Sequence, residues 1–184
     1  MNSIANNVAL ALSFFICLSL FSSLNAAPDI TPMCQKLKHP ELCISSYQES
    51  YLGRYVPDNA PPRLIASIII KIIVNNASDV SRNLKTTVLE GPVPLTPEVR
   101  DKYGICDQDV VSAMKELDKV RTAMESRNLS MEKLDTKAAV SFTANCENEL
   151  KMVEAQLPDK KQFDEVIALK ELLENVEDLV RLVG

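Results

Sequence analysis

Val99, Tyr103, Cys106, Val110, Ala113, Leu117, Val120 and Met124 recur in steps that alternate between four and three. That spacing holds them all on one stripe of a helix, and so long an apolar stripe has to be covered by neighbouring helices. Thr96 stands before it as an N-cap, with Pro97 at the first helical position, where a missing N–H costs little. After a polar turn at Ser126, Arg127 and Asn128, the series Ala139, Phe142, Cys146, Leu150, Val153 and Leu157 repeats the pattern. Beyond Pro158, Asp159 and Gln162 resemble a capping box, and Val166, Leu169, Leu173, Val176, Val180 and Val183 make another stripe. A less regular stretch runs from Arg63 to about Leu89 through Ala66, Ile69, Ile73, Ala77, Val80 and Leu84. Its run Ile68-Ile69-Ile70 suits a strand, but no second strand candidate exists to pair with it. Prolines at 57, 61 and 62, at 92, 94 and 97, and at 158 separate the segments. The expected fold is all-α: four long helices joined by short loops in an up-down-up-down bundle.

The apolar run Val8 to Leu20 is too short to span a bilayer and gives way to Ser22, Ser23, Asn25, Ala26 and Ala27. It reads as a secretory signal peptide over residues 1–27, although no Lys or Arg precedes it. No other stretch reads as a span, so the mature domain, residues 28–184, is expected outside the cytosol and free of the membrane. The net charge of −5 belongs wholly to that domain, because Asp29 is the first charged residue. An acidic balance disfavours nucleic acid and anionic membrane as partners and suits a basic protein surface.

Of the five cysteines, Cys17 leaves with the signal peptide. An even set, Cys34, Cys43, Cys106 and Cys146, in an oxidising compartment implies two disulfides with three possible connectivities. There is no C-x-x-C redox spacing. The single histidine, His39 beside Pro40, suits a surface turn better than a metal site. The bundle then selects a pairing. If the helices flanking the 126–128 turn are antiparallel, Cys106 and Cys146 are equidistant from it and both lie on buried stripes. Cys106–Cys146 is therefore one bridge, worth about 3–4 kcal/mol if chain entropy dominates. Cys34–Cys43 is left as the local staple of a head, residues 28–60, ahead of a bundle at 61–184.

Nothing in the chain assembles a catalytic constellation or calls for a cofactor. One histidine, no activated nucleophile and no glycine-rich phosphate loop leave hydrolysis and group transfer without means. Acidic residues such as Glu116, Asp118, Glu147 and Glu149 read as solvated helix surface. The chain is expected to be a ligand for another protein, monomeric before it binds. Asn128-Leu129-Ser130 and Asn76-Ala77-Ser78 are N-glycosylation sequons, the first in a turn and the second within a helix.

Pro40-Glu41-Leu42-Cys43 followed by Ser46 resembles the Pro-x-x-Cys-x-x-Ser of the plant invertase and pectin methylesterase inhibitors. Ala138-Ala139 leading into Thr143-Ala144-Asn145-Cys146 is similar to the same family's approach to its last cysteine. Asp107-Gln108-Asp109-Val110 stands where the family has an aromatic-rich stretch. The resemblance covers the mature chain and implies a secreted four-helix bundle, in the apoplast or vacuole, with a disulfide-closed N-terminal helical hairpin. It implies a one-to-one inhibitor that occludes the substrate cleft of an invertase or a pectin methylesterase. Invertase inhibitors of this family insert a Pro-Lys-Phe tripeptide from the loop between the middle helices; Leu129, Ser130 and Met131 occupy those positions. Arg127 to Met131 are thus the expected partner-binding loop, where a glycan on Asn128 would crowd an invertase cleft. Members that inhibit pectin methylesterase lay helix faces across the cleft instead. The alternative is a secreted helical ligand or storage-type protein that keeps the bundle without inhibition.

Overall fold

The computed structural model describes residues 29–52, 56, 60–91 and 94–183, so the expected signal segment and Cys17 lie outside it. Among these residues there are six α-helices and no strand: α1 Thr31–Cys34, α2 Pro40–Glu49, α3 Pro62–Glu90, α4 Pro97–Ser126, α5 Leu129–Met152 and α6 Lys161–Val183. The isoleucine run of α3 is helical. A 3-10 turn, Glu154–Gln156, follows α5.

Each long helix packs on its chain neighbours, and α3 also meets α6, which closes a ring of four. Arg63 reaches Met124 while Ser81 reaches Asp107, so α3 and α4 run in opposite directions. Lys102 pairs with Glu149 while Asn145 bonds Asp109, which gives the same relation for α4 and α5. The eight residues of the α4 stripe are each at most 3% exposed. Thr96 caps α4 through its Oγ1, which accepts from the Val99 N–H at 3.2 Å. Disulfides join Cys106 to Cys146 between α4 and α5, and Cys34 to Cys43 between α1 and α2. Asp107 and Asp109, the positions that depart from the family pattern, each engage a neighbour: Ser81 and Lys85 on α3, and Asn145 on α5.

Three expectations are corrected. Phe142 of α5 is only half-buried, as is Leu157 beyond the 3-10 turn, and the inward stripe of α5 carries Thr143 instead. A threonine can lie there because its hydroxyl donates within the helix, to the Val140 carbonyl at 3.0 Å. The capping box at α6 is half made. Asp159 accepts from the Lys161 N–H at 2.9 Å, but the helix begins too late for the reciprocal bond, and the buried Gln162 Oε1 has no partner. By length and composition α3 is apolar enough to cross a membrane, although no such span was expected. Its buried face, Ala66, Ile69, Ile70, Ile73, Ala77, Val80 and Leu84, belongs to the bundle core.

His39 lies in the turn before α2 and is built into a clasp there. The buried Asn175 of α6 accepts from the His39 N–H through Oδ1 and donates from Nδ2 to the His39 carbonyl, both at 2.8 Å. One side chain thus satisfies both backbone groups of the residue that precedes α2. Beside it, Glu174 accepts from Lys38 Nζ at 2.6 Å and lies 2.8 Å from His39 Nε2, while Asp178 accepts from the Lys38 N–H. Ile30, Cys34, Leu37, Cys43 and Tyr47 join the same core beneath this polar seam. Burial pushes the Glu174 carboxyl up, but the bonds from Lys38 and His39 outweigh it and hold the group below its ordinary value.

Asn175→Ala leaves the His39 N–H without a partner, while the His39 carbonyl keeps only its 3.3 Å bond from the Cys43 N–H. It should lower stability by about 1–3 kcal/mol in chemical denaturation, the cost of one buried group left unpaired. A group with a depressed folded-state pKa contributes stability above its unfolded value and loses it as pH falls through the folded one. Stability should therefore decline on acidification below about pH 4.3, the ordinary glutamate value, and part of that decline should be absent in Glu174→Gln.

Candidate functional site

The end of the bundle where α4 turns into α5 is closed by only two non-helical residues, Arg127 and Asn128. Arg127 lies in the left-handed region at φ 57°. Its N–H reaches the Met124 carbonyl at 3.3 Å, and the Asn128 N–H reaches that of Ala123 at 2.9 Å. This is a Schellman closure with arginine where glycine is usual. Asn128 then caps α5 at once, its Oδ1 accepting from the Met131 N–H. The expected five-residue loop, Arg127 to Met131, is corrected accordingly: Leu129, Ser130 and Met131 form the first turn of α5. A strong N-cap immediately after a two-residue closure leaves no length for a projecting loop.

Behind this turn sits a buried charge that the apolar stripes did not reveal. Glu132 is 0% exposed, and its Oε1 lies 3.3 Å from Nη1 of Arg63 at the start of α3. The same Nη1 donates to the Met124 carbonyl at 2.8 Å. Arg63 thereby ties the start of α3 to the last turn of α4 and the first turn of α5. Extending the α5 stripe upstream from Ala139 in steps of three and four lands on Thr136 and Glu132. An acid on that stripe was the available signal of a buried cation opposite.

Two openings flank the first half of α5. Toward α4, a cavity of about 420 Å³ is lined by Asp118, Thr122, Ser126, Asn128, Met131 and Asp135, with Lys119 among them. Toward α6, a cleft of about 350 Å³ has Thr136 and Val180 with Lys133, Lys137, Arg181 and Glu177. Between them Met131 and Leu134 are 42% and 63% exposed. Glu116, Asp118, Glu147 and Glu149 are not paired acids but partners of Lys119, Arg121, Lys170 and Lys102. Asn128 is exposed in the turn, whereas Asn76 is half-buried in the middle of α3. Among the described residues no cluster of three or more His, Cys, Asp or Glu side chains could hold a metal ion.

Residues 28–179 match the family described as plant invertase/pectin methylesterase inhibitor. The chain belongs to that family, whose members are inhibitors, and it is not an enzyme. No curated protein matches it in sequence. In structure it is similar to a mutant form of a pectin methylesterase inhibitor from Arabidopsis, with TM-score 0.66 and 15% identity over 85% of this chain and 98% of the other. A pectin methylesterase inhibitor from Arabidopsis thaliana aligns with TM-score 0.60 and 14% identity over 84% of this chain and 95% of the other. At such identities the likeness is one of fold.

Two substitutions test the braced end. Arg127→Gly relieves a left-handed side chain and should stabilise the protein by about 1 kcal/mol, read as a raised melting temperature. Arg63→Ala leaves Glu132 buried without its cation and should cost about 3–5 kcal/mol, most of it recovered when Glu132→Leu is added.

Proposed function

We propose that the protein is a secreted inhibitor of pectin methylesterase that acts in the apoplast. It is a monomer that binds its enzyme one-to-one and covers the substrate cleft with the α4–α5 end of the bundle. The observation that carries this reading is the helical state of Leu129, Ser130 and Met131. Insertion into an invertase cleft calls for a loop that projects, whereas this end offers a helix face. Arg127 and Asn128 of the turn, with Leu129, Ser130 and Met131 of the first turn of α5, begin the contact, and the exposed Met131 and Leu134 carry it along that helix. The Arg63 brace and the two capping motifs supply a surface with little conformational freedom to lose, which lowers the ordering cost of binding. Asn128 is the proposed glycan acceptor, being exposed where Asn76 is half-buried.

Titration of purified pectin methylesterase and invertase with the protein tests the reading. The expected result is a one-to-one complex with the esterase, seen by light scattering, and inhibition that weakens as substrate concentration rises. Removal of the Asn128 glycan should strengthen that inhibition several-fold. Inhibition of invertase alone would transfer the target. Inhibition of neither enzyme would leave the bundle as a ligand or storage-type protein.

A further inference from the structure

The cavity between α4 and α5 contains a carboxylate that its own chain leaves incomplete. Asp135 is 6% exposed, and its Oδ2 is buried without a hydrogen-bond partner. An unpaired buried carboxylate oxygen is unfavourable unless something completes its bonding. Apart from the Asn128 amide, the uncharged polar groups of the lining are short of donors as well. Thr122 Oγ1 already donates to the Asp118 carbonyl at 3.0 Å and Ser126 Oγ to the Ala123 carbonyl at 3.1 Å, so both hydroxyls retain only acceptor capacity. The Asp118 carboxylate has one long contact, 3.6 Å from Arg121. Lys119, the single cation among the lining residues, is bonded to Glu116 at 2.7 Å. Its ammonium is held above its ordinary value chiefly by that bond, with Asp135 adding to the effect, so the Asp135 charge is felt among the lining residues.

A ligand that fits must therefore bring several donors, a positive charge and an apolar stem to lie along Met131. A metal ion does not fit, because no three-ligand cluster is present among the described residues. An ammonium offers three donors from one point, while a guanidinium offers five in a planar fork that suits separated carboxylates and hydroxyls. We propose that this cavity is a receptor for an arginine side chain of the partner protein, with Asp135 at its floor and Asp118 as a second carboxylate. Only the identity of the partner rests on the inhibitor reading above; the chemistry of the cavity stands apart from it.

The test uses the oxidised ¹⁵N-labelled protein titrated with N-acetyl-arginine methylamide, and separately with the lysine analogue. Saturable amide shifts are expected at Ser126, Asn128, Met131 and Asp135, with the lysine probe several-fold weaker. Asp135→Asn should reduce affinity for the arginine probe at least tenfold without lowering the melting temperature, since the carboxylate it removes was incompletely bonded. Should that variant fail to fold, Asp118→Asn at the second carboxylate should still weaken the probe several-fold. Absence of saturable shifts overturns the proposal, as does undiminished binding in the folded variant used. The enzyme assays are independent: arginine binding without inhibition of either enzyme supports the receptor and removes the inhibitor reading. Inhibition that Asp135→Asn leaves unchanged keeps the inhibitor reading and removes the receptor from its interface.

Discussion

Everything in this molecule is referred to one shared register, that of α4 against α5. A helix carrying inward residues at steps of three and four offers many nearly equivalent ways to slide along its neighbour, each burying similar apolar area. The Cys106–Cys146 bond permits one of them. Once it is set, Lys102 meets Glu149 and Asn145 meets Asp109, polar pairs that a shift of one turn would separate. The apolar seam supplies the driving force, and the covalent bond and polar pairs supply the uniqueness.

At the other extreme of the same helix pair, burial gives way to charge. Glu132, Asp135 and Thr136 occupy inward positions where α5 would otherwise carry aliphatic side chains. A buried ion pair of this kind contributes little net stability compared with a well-packed apolar substitute. What Arg63 provides is position: one guanidinium nitrogen contacts both helices that flank the turn. The surface beyond that turn inherits the rigidity, since its first residues belong to a capped helix rather than to a strap of loose chain.

The parts of the fold legible in the sequence were those governed by local rules. The α4 seam could be read residue by residue because steps of four and three have one helical meaning, and Thr96-Pro97 marks its start through chemistry confined to four residues. The equal spacing of Cys106 and Cys146 about the turn needed only the premise that neighbouring helices run antiparallel. What escaped depended on partners far along the chain. Glu132 was not singled out, its cation being 69 residues away, and neither was Asn175, whose partner His39 is 136 residues away. The turn was legible in part: it was placed at residues 126–128, but the expected loop ran on to Met131 although Asn128 is a strong N-cap residue that starts α5 at Leu129.

The Asn175 clasp has a consequence for how the chain comes into being. It joins backbone groups of His39 to a side chain 136 residues later. The Cys34–Cys43 loop can close once its own few residues reach an oxidising compartment, yet part of its docking surface is carried by α6, far later in the chain. Until then the head must wait without its clasp, because contacts of such long range form late. An early local bond keeps this waiting segment compact and so limits the apolar surface that it shows meanwhile.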